Sequence, residues 1–250
     1  MKTTQRLDKI LAHSGYGTRS EIKLLVKRHA VTVNGKAIKD SGLQVNPDTD
    51  QIEVEGEKVH FQAQTYLMLN KPQGVISATE DSRERTVLDL LEPPFAHMAL
   101  FPVGRLDKDT EGLLLLTDDG KLAHNLLSPK KHVAKTYYAE VTGLVDESDQ
   151  AVFAQGVELD DGYVTMPAKL VILVAGDPSL LKNSKIELTI MEGKFHQVKR
   201  MFIAVGKKVT FLKRISMGSL KLDEYLAPGE YRELTEDELQ QLRGGKENEL

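Results

Sequence analysis

Between Gly104 and Gly120 the chain reads GRLDKDTEGLLLLTDDG, which sets one carboxylate, Asp107, two residues after a guanidinium, Arg105, and just ahead of an apolar run. Leu113 to Leu116 are uninterrupted leucines bounded by Gly112 and by Asp118-Asp119-Gly120, the pattern of a short buried strand entered from a polar turn. Asp107 therefore belongs at the lip of a core. A carboxylate there is costly to desolvate unless a cation, Arg105 or a lysine from elsewhere, holds it ionised. Ionised and partly dry, it can serve as a nucleophile or a base. Two other stretches concentrate reactive side chains: KTYYAEV (135–141), with Lys135 and Tyr137, and EGKFHQVKR (192–200). Taken singly, each also fits an ordinary structural role. An aspartate caps turns, a strand tyrosine packs a core, and Lys194, His196, Lys199 and Arg200 could form an exposed basic helix edge.

Composition removes several chemistries. The chain has no cysteine, which excludes thiol nucleophiles, disulfides and thiolate metal sites. Its seven histidines include no H-x-x-x-H or H-E-x-x-H pair, so no metal is expected. Neither G-x-x-x-x-G-K-[ST] nor G-x-G-x-x-G occurs, so no phosphate-cradling glycine loop is expected. Charged residues interrupt the opening MKTTQRLDKILAHSG where a signal peptide needs its apolar stretch, and no later run approaches the ~18 apolar residues of a membrane span. A cytoplasmic protein without membrane association is expected.

The net charge of −4 conceals an asymmetry. Residues 1–39 carry nine Lys/Arg against Asp8 and Glu21, a balance of +7, which leaves −11 for the remainder. A basic head on an acidic body argues for docking onto a phosphate backbone, with affinity that falls as salt rises.

Elements that would position these groups can be read from periodicity. Leu7, Ile10 and Leu11 have helical spacing, and a second helix starts at Thr18 with Glu21 three positions on, a capping box. In that helix Ile22, Leu25 and Val26 point inward while Arg19, Lys23 and Lys27 form a basic stripe. Val31-Thr32-Val33, Asn34-Gly35 and Lys36-Ala37-Ile38 predict a hairpin with a type I′ turn, followed by a strand over 51–54. This module ends near Glu57, with 58–64 as linker. Beyond it the pattern predicts a strand from Tyr66, a bend at Lys71-Pro72-Gln73-Gly74, a helix from Asp119 to Leu127, and a strand over 135–141. A helix over 146–155, strands over 162–174 and 185–191, and a helix from His196 to Val205 follow. A strand over 209–215 and a last helix capped by Thr235 and Glu238 complete the domain, with 246–250 frayed. Strands without regular helical crossovers predict an α+β domain, 65–245, on a mixed, largely antiparallel sheet with flanking helices.

The basic head resembles the S4 (α-L-like) RNA-binding domain, with Arg6, Lys9, Arg19, Lys23 and Lys27 as its candidate RNA contacts. Further on, LNKPQGVIS (69–77), FPVGRLDKDTEGLLLLTDDG (101–120), KTYYAEV (135–141) and EGKFHQVKRMF (192–202) together resemble the catalytic domain of pseudouridine synthases, specifically the RsuA type that modifies small-subunit ribosomal RNA. The resemblance covers essentially the whole chain. It implies that Asp107 is the catalytic aspartate, Tyr137 the aromatic that stacks on the target uracil, Lys199 the basic partner of the aspartate, and Arg105 a group that holds the flipped RNA. Lys71, His196, Gln197, Arg200 and Arg214 are further RNA contacts by the same token. One departure stands out: the family motif often reads H-Q-V-R, and here it reads H-Q-V-K, so Lys199 and Arg200 compete for the partner role. The implied activity is isomerisation of one uridine in 16S ribosomal RNA, without a cofactor, by a monomer. The competing expectations are a 23S-directed synthase and a non-catalytic S4-containing ribosome assembly factor.

Overall fold

A computed structural model describes residues 4–59, 61 and 64–244. The expected frayed segment 246–250 lies outside the described residues. The chain divides into two compact units, residues 1–65 with 88–101, and residues 66–87 with 102–250.

In the first unit, β1 (Gln5–Arg6) leads into α1 (Leu7–His13) and α2 (Arg19–Lys27). The capping box read from the sequence is present: Thr18 N donates to Glu21 Oε2 at 2.7 Å. β2 (Val31–Val33) and β3 (Lys36–Ala37) form the hairpin, and Asn34 and Gly35 both have positive φ (52° and 74°), as a type I′ turn requires. β4 (Gln44–Val45) pairs with β1, and β5 (Ile52–Val54) pairs with β2. Leu7, Ile10, Leu11, Ile22, Val26, Val31 and Ile52 fill the core. The module does not end at Glu57: β6 (Glu57–Lys58) pairs with β5, and Val59 is part of the same core. Lys58 and Val59, read as linker because of the polar KVHFQAQ composition, are thus a strand end and a core residue.

The second unit is built on one sheet. Its strands are β7 (Tyr66–Lys71), β9 (Glu111–Thr117), β10 (Lys135–Val141), β11 (Lys169–Val174), β12 (Ser184–Ile190), β13 (Val209–Met217), β14 (Leu220–Lys221) and β15 (Tyr231–Glu233), with the two-residue β8 (Phe101–Pro102) where the chain re-enters the unit. The continuous order is β11-β12-β10-β13-β9-β7-β15, antiparallel throughout except for the β13/β9 pair. β7 and β9 are buried along nearly their whole length, which is why both read as apolar runs, whereas β10 alternates. The helices are α3 (Gly120–Leu127), α4 (Glu147–Gln155), α5 (Gln197–Ala204) and α6 (Glu236–Gly244). Asp119 caps α3, accepting from Lys121 N and Leu122 N. Phe153 of α4 meets Phe202 of α5, with ring centroids 4.9 Å apart.

The parallel β13/β9 seam is only two residue pairs long, Lys213 with Glu111 and Arg214 with Gly112. At Gly112, φ is 101°, and a Cβ would stand 2.2 Å from the Arg214 carbonyl oxygen, so only glycine permits the approach. The predicted strand over 162–174 is shorter than expected. A Leu159–Gly162 turn, an isolated Glu158/Val164 bridge and the Thr165 N to Val157 O bond (2.9 Å) occupy its first half, and β11 begins only at Lys169.

Candidate active site

Asp107 sits in the loop between Val103 and β9, and buried polar anchors fix that loop from below. The Ser77 hydroxyl donates to Leu106 O and accepts from Leu106 N, both at 3.0 Å. Lys71, fully buried at the end of β7, donates from Nζ to the carbonyls of Thr110 (2.8 Å), Pro72 (3.0 Å) and Lys108 (3.4 Å). Burial pulls the Lys71 ammonium down to about 8, against the opposing pull of Asp109 and Asp107. Gly74 N also reaches Lys108 O at 2.9 Å. The bend read from Pro72 and Gly74 therefore serves as a cradle for the aspartate loop.

α5 brings the counter-charge. Lys199 Nζ lies 2.9 Å from Asp107 Oδ2 and 2.6 Å from Asp109 Oδ1. Partial burial lowers the Lys199 pKa, but the hydrogen bonds to Asp109 and Asp107 outweigh this and leave it raised, so the group stays an ammonium through the neutral range. Asp109 is lowered in turn, first by its hydrogen bond to Lys199. His196, at the N-terminal end of α5 with φ 49°, places Nε2 3.5 Å from Asp107 Oδ1, and its ring stacks on Phe195 at 3.7 Å. Tyr137, on the buried face of β10, lines the same cavity as Asp107, Lys199 and His196, with Ile190, Val198 and Leu212 as apolar wall. Arg105 lines it from the exposed side. A carboxylate held against a fixed ammonium, with a tyrosine face beside it, can meet a reacting sugar or base in a partly dry pocket.

The competition between the two basic residues of the third block resolves in geometry. Arg200 points elsewhere: it pairs with Asp160 and with Asp161, at 2.7 Å from the latter. Arg200, expected as an RNA contact, thus has its guanidinium engaged by two exposed carboxylates. Three other expected RNA contacts, Lys71, Gln197 and Arg214, are buried. Lys71 supports the aspartate loop. Gln197 is 4% exposed and ties α5 to β12's end, accepting from Lys194 N (2.8 Å) and donating to Glu192 Oε1 (2.9 Å). Arg214 is 2% exposed, with Nε donating to Leu113 O at 2.8 Å. In the first unit Arg6 is half committed, binding the buried Asp8 through Nε (3.0 Å) and Nη2 (2.6 Å). Lys9, Arg19, Lys23 and Lys27 are exposed. Sequence reasoning missed Ser77, Asp109 and Glu192 as builders of the site. Asp109 carried a signal, the D-K-D spacing that lets one lysine bridge both carboxylates; Ser77 and Glu192 stand inside the blocks LNKPQGVIS and EGKFHQVKRMF, but their residue types alone pointed to no part in the site.

Residues 65–204 match the RNA pseudouridylate synthase family and residues 5–52 match the S4 domain. The chain is 55% identical to the uncharacterized RNA pseudouridine synthase YtzG of Bacillus subtilis, across 95% of this chain and 98% of that protein. It is 41% identical to ribosomal small subunit pseudouridine synthase A of Haemophilus influenzae, across 95% and 99% respectively. A solved pseudouridylate synthase structure superposes with a TM-score of 0.65 at 40% identity, covering 95% of this chain and 99% of that one. An S4 domain, a mixed α+β catalytic sheet and an Asp107–Lys199 pair beside Tyr137 come together in one chain, and that chain belongs to the RNA pseudouridine synthase family of isomerases.

Proposed function

We propose that this synthase converts one uridine of 16S ribosomal RNA to pseudouridine, as a cytoplasmic monomer working without a cofactor. Relatives 41% to 43% identical over 94% to 95% of the chain bear the name ribosomal small subunit pseudouridine synthase A, which supports the small-subunit target over the large. We further propose a division of labour in which the basic first unit docks RNA and the second unit carries out the chemistry.

The reaction breaks the bond from N1 to C1′, turns the uracil, and joins C5 to C1′; the C5 proton leaves and N1 gains one, so nothing is oxidised and no group is added. The protein has to supply a carboxylate, a surface that keeps the detached base, and exclusion of water. Asp107 supplies the first. Tyr137 supplies the second, offsetting part of the few kcal/mol needed to unstack the base. Lys199 holds Asp107 ionised and oriented, as a point charge rather than a bidentate fork, and Arg105 holds the RNA strand in its flipped form. The observation that carries this reading is the 2.9 Å contact between Lys199 Nζ and Asp107 Oδ2 in a cavity that Tyr137 lines.

The test is Asp107→Asn, assayed by pseudouridine mapping of 16S ribosomal RNA from cells carrying the wild-type or variant gene. The variant is expected to fold, bind RNA and leave the uridine unmodified. Residual modification by the purified variant defeats the catalytic assignment, and pseudouridine appearing in 23S RNA instead defeats the target.

A further inference from the structure

A second cavity, of about 300 Å³, adjoins the Asp107 site: Arg105, Tyr137, Gly193 and Lys194 line both. Its distinguishing property is buried positive charge without a counter-ion. Lys135 is 8% exposed, and its Nζ donates to Val133 O at 2.9 Å. Arg214, 2% exposed, also lines the cavity, and its Nη2 has no hydrogen-bond partner. Among the described residues neither is paired with a carboxylate. Glu192, the acidic residue on the same wall, is already engaged by neutral donors: the Tyr163 hydroxyl (2.6 Å), Met166 N (2.9 Å) and Gln197 Nε2 (2.9 Å). Two like charges and an orphan guanidinium N–H, withdrawn from water together, are unfavourable in the free protein and become favourable when an anion enters.

The strand register indicates which anion. Lys135 and Tyr137 share the buried face of β10, ~7 Å apart along the strand, and Arg214 of β13 stands directly opposite Tyr137. The cations thus lie within one nucleotide's reach of the face expected to stack on the base. We propose that Lys135 and Arg214 form a subsite for one backbone phosphodiester next to the uridine presented to Asp107, a contact that holds the strand in place whatever the neighbouring bases. This rests on the RNA-modifying reading of the Asp107 site.

The experiment compares wild type, Lys135→Met and Lys135→Arg on 16S ribosomal RNA transcribed with [5-³H]uridine. Tritium release gives kcat and KM, and the same changes in an Asp107→Asn background give Kd against salt. Lys135→Met is expected to raise KM and Kd about tenfold, as loss of a charge-assisted bond does, and to reduce the salt slope by about 0.7 to 1. The turnover rate at saturation should stay within about twofold and Lys135→Arg should recover most of the affinity. Wild-type KM and salt slope in Lys135→Met, or a fall confined to kcat, overturns the subsite. Phosphate-ethylation interference on the wild-type protein provides an arm that no folding defect can obscure. Ethylation beside the modified uridine must block binding, and its failure to do so overturns the proposal. If wild type releases no tritium from 16S RNA, the target reading has failed, and the same measurements on 23S RNA still decide the subsite.

Discussion

The two units carry the same kinds of basic residue and treat them in opposite ways. On α2, Arg19, Lys23 and Lys27 stand exposed on one stripe. In the second unit Lys71 and Arg214 are buried against backbone carbonyls, Lys135 is nearly so, and Lys199 is locked between two carboxylates. The first arrangement gives attraction without direction, screened over about 10 Å at moderate salt. The second gives direction at a few ångströms, in surroundings where salt has little effect. Docking and chemistry therefore answer to different variables, and each can be disturbed alone.

The largest effect is expected at the paired lysine. Lys199→Met leaves Asp107 without its cation, and single-turnover modification should slow by about a hundredfold or more. Arg200→Met should slow it less than tenfold, because Arg200 serves Asp160 and Asp161 instead. The reverse order of effects would break the contrast at its centre. Next in size is Lys71→Met, which strips donors from three carbonyls and should lower unfolding free energy by about 3 kcal/mol at pH 7. Its pH dependence sharpens the point. Folded Lys71 releases its proton near 8, while the unfolded chain holds it to about 10.4. Between those values the unfolded state binds more protons, so wild-type stability gains with rising pH and the variant's does not. The gap in urea-melt free energies should therefore widen by up to about 3 kcal/mol across that window, and a gap that narrows refutes the buried ammonium. The smallest effect belongs to the exposed stripe. Changing Arg19, Lys23 and Lys27 together to Gln should flatten the slope of log K against log salt by about 2, seen in filter binding of 16S RNA. If the slope is untouched, α2 is not the docking face.

How legible each part was follows from what the sequence encodes locally. β7, β9 and β10, both helices of the basic module and the caps at Thr18, Asp119 and Thr235 were legible, because burial on two faces, burial on one face and capping each leave a periodic or fixed-spacing trace. The strand over 162–174 was overextended because its first apolar residues follow directly on the turn at Gly162 (φ 79°) and fold back through the Glu158/Val164 bridge, which periodicity does not register. Asp107 announced itself by position. Its partner did not, since the helix residue closing the pair lies 92 positions away and only the motif resemblance pointed to it. The burial of Lys71, Gln197 and Arg214 was not legible, because a polar side chain goes inside only where partners satisfy it, and those partners, backbone carbonyls and a glutamate, leave no trace at the residue itself.

Gly112 gives the seam between the two halves of the sheet a meaning of its own. The aspartate loop feeds into β9 on one side, while Tyr137 belongs to β10 and Lys199 to the helix leading into β13 on the other. Contact across the join is two residue pairs, brought close by a missing methyl group. The spacing of the Asp107 carboxylate and the Tyr137 ring is thus set through a hydrogen atom on an α-carbon, in a residue outside the cavity that both line. A spacer of that kind ties the geometry of the cavity to strand pairing itself.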